Sequence, residues 1–256
     1  MSGKSNIREY SYSREIREFM IDKTVASCKE AVADVFDGAT LMFGGFGDPG
    51  VPGRLIEALR EQGASRLCVI HNGAGGDDFA LGGLILDGRV RKLIASFPNS
   101  PRAWAFRDRY LKGEIELELI PQGTLVERIR AAGAGLGGFF TPTAFGTELA
   151  VGKETRIIDG REYVLEAPLH ADFAFIKAHR GDRLGNLSYR GAMRNFNPVM
   201  ATAGKVVIAE VDQLVPVGAL SPEEIHTPGI FVDLLVEVER DPRLFELEPP
   251  KRRSAK

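Results

Sequence analysis

Short apolar runs alternate with glycine-rich turns along the first half of the chain. Thr40–Phe43, Arg66–Ile70 and Arg91–Ser96 have the length and apolar content of buried strands. Between them the spacing changes to that of helices. Val25, Cys28, Val32, Val35 and Phe36 recur at helical intervals over residues 24–36, and Asp37-Gly38 closes that segment. Leu55, Ile56 and Leu59 mark the inner face of a helix over residues 51–62. Leu81, Leu84 and Leu86 define an apolar segment, and a helix is expected over residues 102–111. Residues 115–120 alternate apolar with acidic, and Gln122-Gly123-Thr124 opens a helix continuing through residues 125–132. This strand–loop–helix rhythm predicts parallel βαβ units with right-handed crossovers.

The rhythm breaks after residue 150. Arg156–Ile158 and Arg161–Val164 flank Asp159-Gly160, the signature of a type I′ turn, so a β-hairpin is expected around residues 152–166. Residues 172–177, 205–211 and 230–238 read as further strands, with a short helix within 197–203. The fold class is therefore α/β: a mostly parallel open sheet flanked by helices, with a protruding β-hairpin. Residues 1–22 read as an N-terminal extension, a helix from Ser13 being one option. Residues 23–240 read as one domain and 241–256 as a basic, solvated tail. No internal repeat or low-complexity segment interrupts them.

Composition narrows the function. A chain of 256 residues supports one substantial α/β domain. Its formal net charge of -2 gives no electrostatic footprint for nucleic acid or an anionic membrane. No apolar run approaches the roughly 18 residues of a membrane span. The first residues lack the apolar core of a secretory signal, and Glu9, Glu15 and Glu18 argue against a transit peptide. Cys28 and Cys68 show no disulfide framework or metal knuckle, which favours a reducing, cytoplasmic setting. His170, His179 and His226 lack metal-ligand spacing, so no metal is expected.

The most informative stretch runs from Asp37 to Pro52. It reads as a strand, a glycine-rich turn and a helix start with Pro52 near the first turn. Gly44, Gly45, Gly47 and Gly50 free the backbone to approach a ligand, and amides at a helix start favour anions such as nucleotide phosphates. Glycine content alone serves equally a tight turn packed on the sheet. The spacing is not a phosphate-binding P-loop, and Asp48, Pro49 and Pro52 interrupt the weak dinucleotide-fold match at Gly45, Gly47 and Gly50.

The same stretch resembles the alpha-subunit signature of family I CoA-transferases. Asp37, Gly38, Leu41, Met42, Phe43, Gly44, Gly45, Phe46, Gly50 and Pro52 all fit it. The resemblance continues through Arg89–Lys92, Pro121–Leu125, Glu127–Arg130, Thr141–Thr143, Asp182–Asn186 and Arg194–Phe196, covering residues 23 to 238 or so.

The resemblance implies transfer of CoA between carboxylic acids by way of a glutamyl thioester, with acyl-CoA and a carboxylic acid as substrates and no separate cofactor. In the family the nucleophilic glutamate lies in a Ser-Glu-Asn-Gly motif of a beta subunit. That motif is missing here, and Glu148 is its nearest imitation. The nucleophile is therefore expected from a beta-subunit partner. Carried over by position, Gln122 supplies an oxyanion-stabilising amide. Gly44, Gly45, Phe46, Gly47, Asp48, Pro49 and Gly50 form the CoA-binding loop, and Asn72 occupies a second site loop. His71 and Gly73 depart there from the Ser-Asn-Asn-Ala-Gly common in relatives; His71 reads as a hydrogen-bonded loop histidine rather than a base. The run from Arg194 to Asn197 serves either substrate or the interface with the partner. Arg102, Arg180, Arg183 and Arg194 are candidates to hold a distal carboxylate, each equally served by a surface ion pair. The stretch from Gly152 to Arg183 looks most like 3-oxoadipate CoA-transferase alpha subunits, with acetate or acetoacetate CoA-transferases close behind. A ligand-binding sensor of the same fold is the alternative of a different class.

Overall fold

The structure is a computed structural model and describes residues 21–76 and 78–239. The helix option from Ser13 and the basic tail lie outside the described residues. The chain begins in extended form. Val25 N–H donates to the Leu235 carbonyl, and Leu235 N–H to that of Lys23. Ser27 then caps helix α1, Cys28–Ala31, its hydroxyl accepting from Glu30 N–H. The helix expected over residues 24–36 is thus a single turn followed by turns. Pairing of residues 23–25 with a strand delays its start, although Val32 and Val35 are still buried.

From residue 40 the predicted rhythm is realised. Strand β1 is Thr40–Phe43, α2 is Gly53–Gln62, β2 is Leu67–Ile70 and α3 is Leu81–Leu86. β3 is Val90–Ala95, α4 is Trp104–Leu111, β4 is Glu116–Leu119 and α5 is Gln122–Gly133. Pro52 sits at the N-cap of α2, one position earlier than expected. The chain then forms β5 (Phe139–Thr141), β6 (Thr155–Ile158) and β7 (Arg161–Glu166). It returns through β8 (Ala171–Asp182), β9 (Leu187–Ser188), α6 (Asn197–Ala201), β10 (Gly204–Val215) and β11 (Leu234–Glu237).

The main sheet has the order β11-β10-β8-β1-β2-β3-β4, with β9 pairing antiparallel to β8. All pairs along that order are parallel. Side chains alternate across it as the strand period requires. Leu41 and Phe43 join a core with Leu55, Ile56 and Leu59 beneath α2, α3 and α4. Met42 faces the opposite core, with Leu125 and Ile129 of α5 and Met200 of α6. Covering both faces explains why the strands read as continuous apolar runs.

The expected hairpin is present, with positive φ at Asp159 and Gly160. It belongs to a three-stranded antiparallel sheet of order β5-β7-β6. β5 carries no signal in the sequence, because its three half-buried residues show no period.

Candidate active site

The loops following β1, β2, β3 and β4 meet at the carboxyl edge of the main sheet, the edge where open α/β sheets place ligands. They enclose a cavity of about 660 Å³. The glycine loop contributes Phe46, Gly47 and Asp48, and the β2 loop contributes residues 71–76. Ser96 and Phe97 follow β3, and Gln122 opens α5.

The glycine loop is fixed from across the chain. Gly45, Gly47 and Gly50 all take positive φ. Gly45 N–H donates to Asn195 Oδ1 at 3.2 Å, and Asn195 Nδ2 donates to the Pro49 carbonyl at 2.9 Å. Asn197, fully buried, donates from Nδ2 to the Gly50 carbonyl at 3.0 Å and accepts Lys177 N–H on Oδ1 at 2.9 Å. A Cβ on Gly44 would lie 1.8 Å from Asn197 Oδ1. The start of α2 is tied down as well: Leu55 N–H donates to the buried Glu210 carboxylate at 2.9 Å. Burial pushes the Glu210 carboxyl up, against the pull of Lys177 and the helix amides. Lys177 Nζ lies 3.3 Å from Glu210 and 2.8 Å from Asp212.

Gln122 and Asn72, fifty positions apart in the chain, meet directly. Gln122 Nε2 donates to Asn72 Oδ1 at 2.7 Å, and Ser96 Oγ donates to the same oxygen at 2.7 Å. Gln122 is otherwise exposed at the cavity mouth. Its second amide hydrogen is available to a ligand, since a side-chain amide carries two.

Of the other candidates, Arg102 lies on the cavity, where it pairs with Asp48 at 3.0 Å. Arg194 lines a neighbouring groove with Phe46. Arg180 pairs instead with Glu224, and Arg183 donates to the Ile21 carbonyl. Glu148 is exposed on the connection between β5 and β6 and lines neither cavity nor groove. Glu57 accepts from Ala80 N–H, Glu166 pairs with Lys153, and Glu210 holds α2. Among the described residues no glutamate lines the cavity. His71 is buried, and burial pulls its imidazole below its ordinary value of 6.5. Asn195 and Asn197 form the clamp on the glycine loop, a role the sequence does not assign them. The Asn-x-Asn pair after Arg194 is its sole signal there.

The family model for Coenzyme A transferase matches residues 25–238. The chain belongs to that family. It is 56% identical over 219 residues to a 3-oxoadipate CoA-transferase subunit from Pseudomonas putida, covering 86% of this chain and 95% of that protein. It is 52% identical over 215 residues to a succinyl-CoA:3-ketoacid coenzyme A transferase subunit from Xanthomonas campestris, covering 84% and 88%. Among solved structures, an acyl-CoA transferase from E. coli O157:H7, captured as a thioester complex with CoA, superposes with a TM-score of 0.72 at 25% identity. That match covers 86% of this chain and 48% of the other, so this chain spans about half of that enzyme.

Proposed function

We propose that this chain is the alpha subunit of a heteromeric CoA-transferase that moves CoA from succinyl-CoA to a 3-oxo acid, with 3-oxoadipate favoured. The observation that carries the reading is the 56% identity spanning 95% of a 3-oxoadipate CoA-transferase subunit. The absence of a glutamate from the described cavity supports supply of the nucleophile by a beta subunit. The partner's carboxylate oxygen bonds to the acyl carbon, and the carbon–sulfur bond breaks to release CoA thiolate. The thiolate then attacks the glutamyl carbonyl of the anhydride and expels the first acid. The acceptor acid reverses both steps.

Within this scheme the chain contributes positioning and charge stabilisation. Gly44–Gly50 cradle CoA with backbone amides. The hydrogen bond from Gln122 to Asn72 aims the remaining Gln122 N–H at the oxygen that gains charge when the thioester is attacked. CoA is a substrate and no other cofactor is invoked. Among the described residues no helix is long and apolar enough to cross a membrane; the cytoplasm is the proposed compartment.

The test is reconstitution of the full chain with its beta partner, following acceptor-dependent loss of succinyl-CoA. Transfer to 3-oxoadipate is expected. Gln122→Ala is expected to lower kcat by about 10²–10³-fold with a smaller change in KM. Equal turnover by the variant would remove Gln122 from the mechanism, and a strong preference for acetate would reassign the acceptor.

A further inference from the structure

Polar side chains from separate loops form a short chain along the cavity wall. Asn72 lies after β2, Ser96 directly follows β3 and Gln122 opens α5. Gln122 is exposed, and its side chain makes one hydrogen bond among the described residues, the 2.7 Å contact to Asn72 Oδ1. Asn72 is buried, so its orientation sets the direction in which the Gln122 amide points.

Facing amides satisfy each other in either of two ways. The Asn oxygen accepts from a Gln N–H, or an Asn N–H donates to the Gln oxygen. Reversing both amides keeps a bond, so nothing within the pair selects one arrangement. The difference falls on the ligand. In the first arrangement the second Gln122 N–H is turned toward an oxygen that gains negative charge. In the second a lone pair takes its place, which repels that charge.

Ser96 breaks this symmetry. Its Oγ lies 2.7 Å from Asn72 Oδ1 and 3.1 Å from the Asn72 carbonyl oxygen. That carbonyl already accepts the Ser96 N–H at 3.1 Å and the Phe97 N–H at 2.9 Å. Two backbone donors occupy its two lone pairs, which leaves the hydroxyl hydrogen for Oδ1. A hydroxyl that donates there requires an oxygen, so Asn72 presents Oδ1 and Gln122 has to donate from Nε2.

We infer that Ser96 is a positioning residue for the transfer reaction: acting through Asn72, its hydroxyl holds the Gln122 amide with an N–H, not the oxygen, toward the reacting carbonyl. This rests on the CoA-transfer reading above. Ser96 itself need not touch the substrate.

The experiment uses the full chain with its beta partner, succinyl-CoA and 3-oxoadipate, with rates taken per folded chain. Ser96→Ala is expected to lower kcat about three- to tenfold with little change in KM, because the donor is then aimed only part of the time. Ser96→Thr keeps the hydroxyl and should recover most of the loss. The decisive comparison repeats Ser96→Ala in the Gln122→Ala background. With no amide left to position, a further loss under about twofold is expected there. An equal loss in both backgrounds, no loss in either, or no recovery with threonine overturns the inference.

If the wild-type pair transfers no CoA, the functional reading fails, and a second measurement on the full chain alone decides the positioning of the amide. Nitrogen-edited NMR of glutamine-labelled chain should show one Gln122 amide hydrogen exchanging slowly with solvent. That exchange should quicken about three- to tenfold in Ser96→Ala, as the bond to Asn72 weakens, and slow again in Ser96→Thr. An unchanged rate in Ser96→Ala overturns it.

Discussion

The two loops that face each other across the cavity are built on opposite plans. The glycine loop after β1 is held from a distance: Asn195 and Asn197 bind its backbone, and Glu210 anchors the helix that follows. The loop after β2 is held from nearby. Its Asn72 carbonyl accepts from Ser96 and Phe97 N–H, and His71 bonds to Gly73 two residues on. The first plan fixes a cradle whose shape depends on the whole fold. The second fixes a short segment through neighbouring strand ends and sets Asn72 Oδ1 to accept from Ser96 and Gln122.

Removing the distant supports should therefore cost more than altering the local ones. Lys177→Met leaves Glu210 and Asp212 without their shared cation in a buried setting. A loss of about 3–5 kcal/mol is expected by urea denaturation; a loss under about 1 kcal/mol would mean that the helix anchor survives without the ion pair. Gly44→Ala forces a methyl into Asn197 Oδ1, and about 3 kcal/mol is expected, with CoA affinity falling alongside. Unchanged stability in that variant would show the clamp to be soft and the contrast between the loops unreal.

The smallest effect is a pH dependence in the local loop. The His71 pKa lies below its ordinary value in the folded chain, so below pH 6.5 the unfolded chain binds a proton that the folded one refuses. Stability from this group is present above 6.5 and is lost as pH falls through the folded value. The wild type should lose more stability than His71→Phe between pH 7.5 and 5.5. Parallel curves would place the titration elsewhere.

What the sequence reveals follows the same division. Strands β1, β2 and β3 are legible because sheet burial on both faces gives unbroken apolar runs between glycine turns. β8 and β10 run past their expected ends, to Asp182 and Val215. The added residues His179 and Asp212 look like loop residues, but His179 Nδ1 and Asp212 Oδ2 meet at 3.1 Å across the two strands, with Lys177 alongside. The 24–36 helix is shorter than its apolar spacing predicts. That spacing does not register that residues 23–25 pair with a strand more than two hundred positions away. In the site, the glycine loop and Gln122 are legible as local motifs. The Asn195 and Asn197 clamp is not, since its partners lie about 150 residues upstream and meet it only through the fold.

The fit between position 44 and position 197 carries an implication for divergence. With a side-chain oxygen filling the space where a β-carbon would stand, the two positions are coupled: shortening Asn197 opens a hole and breaks its bonds to Lys177, Gly50 and Met193, while enlarging Gly44 collides. A larger residue at position 44 is therefore accommodated only once position 197 has been shortened, which fixes the order in which the two exchanges can occur.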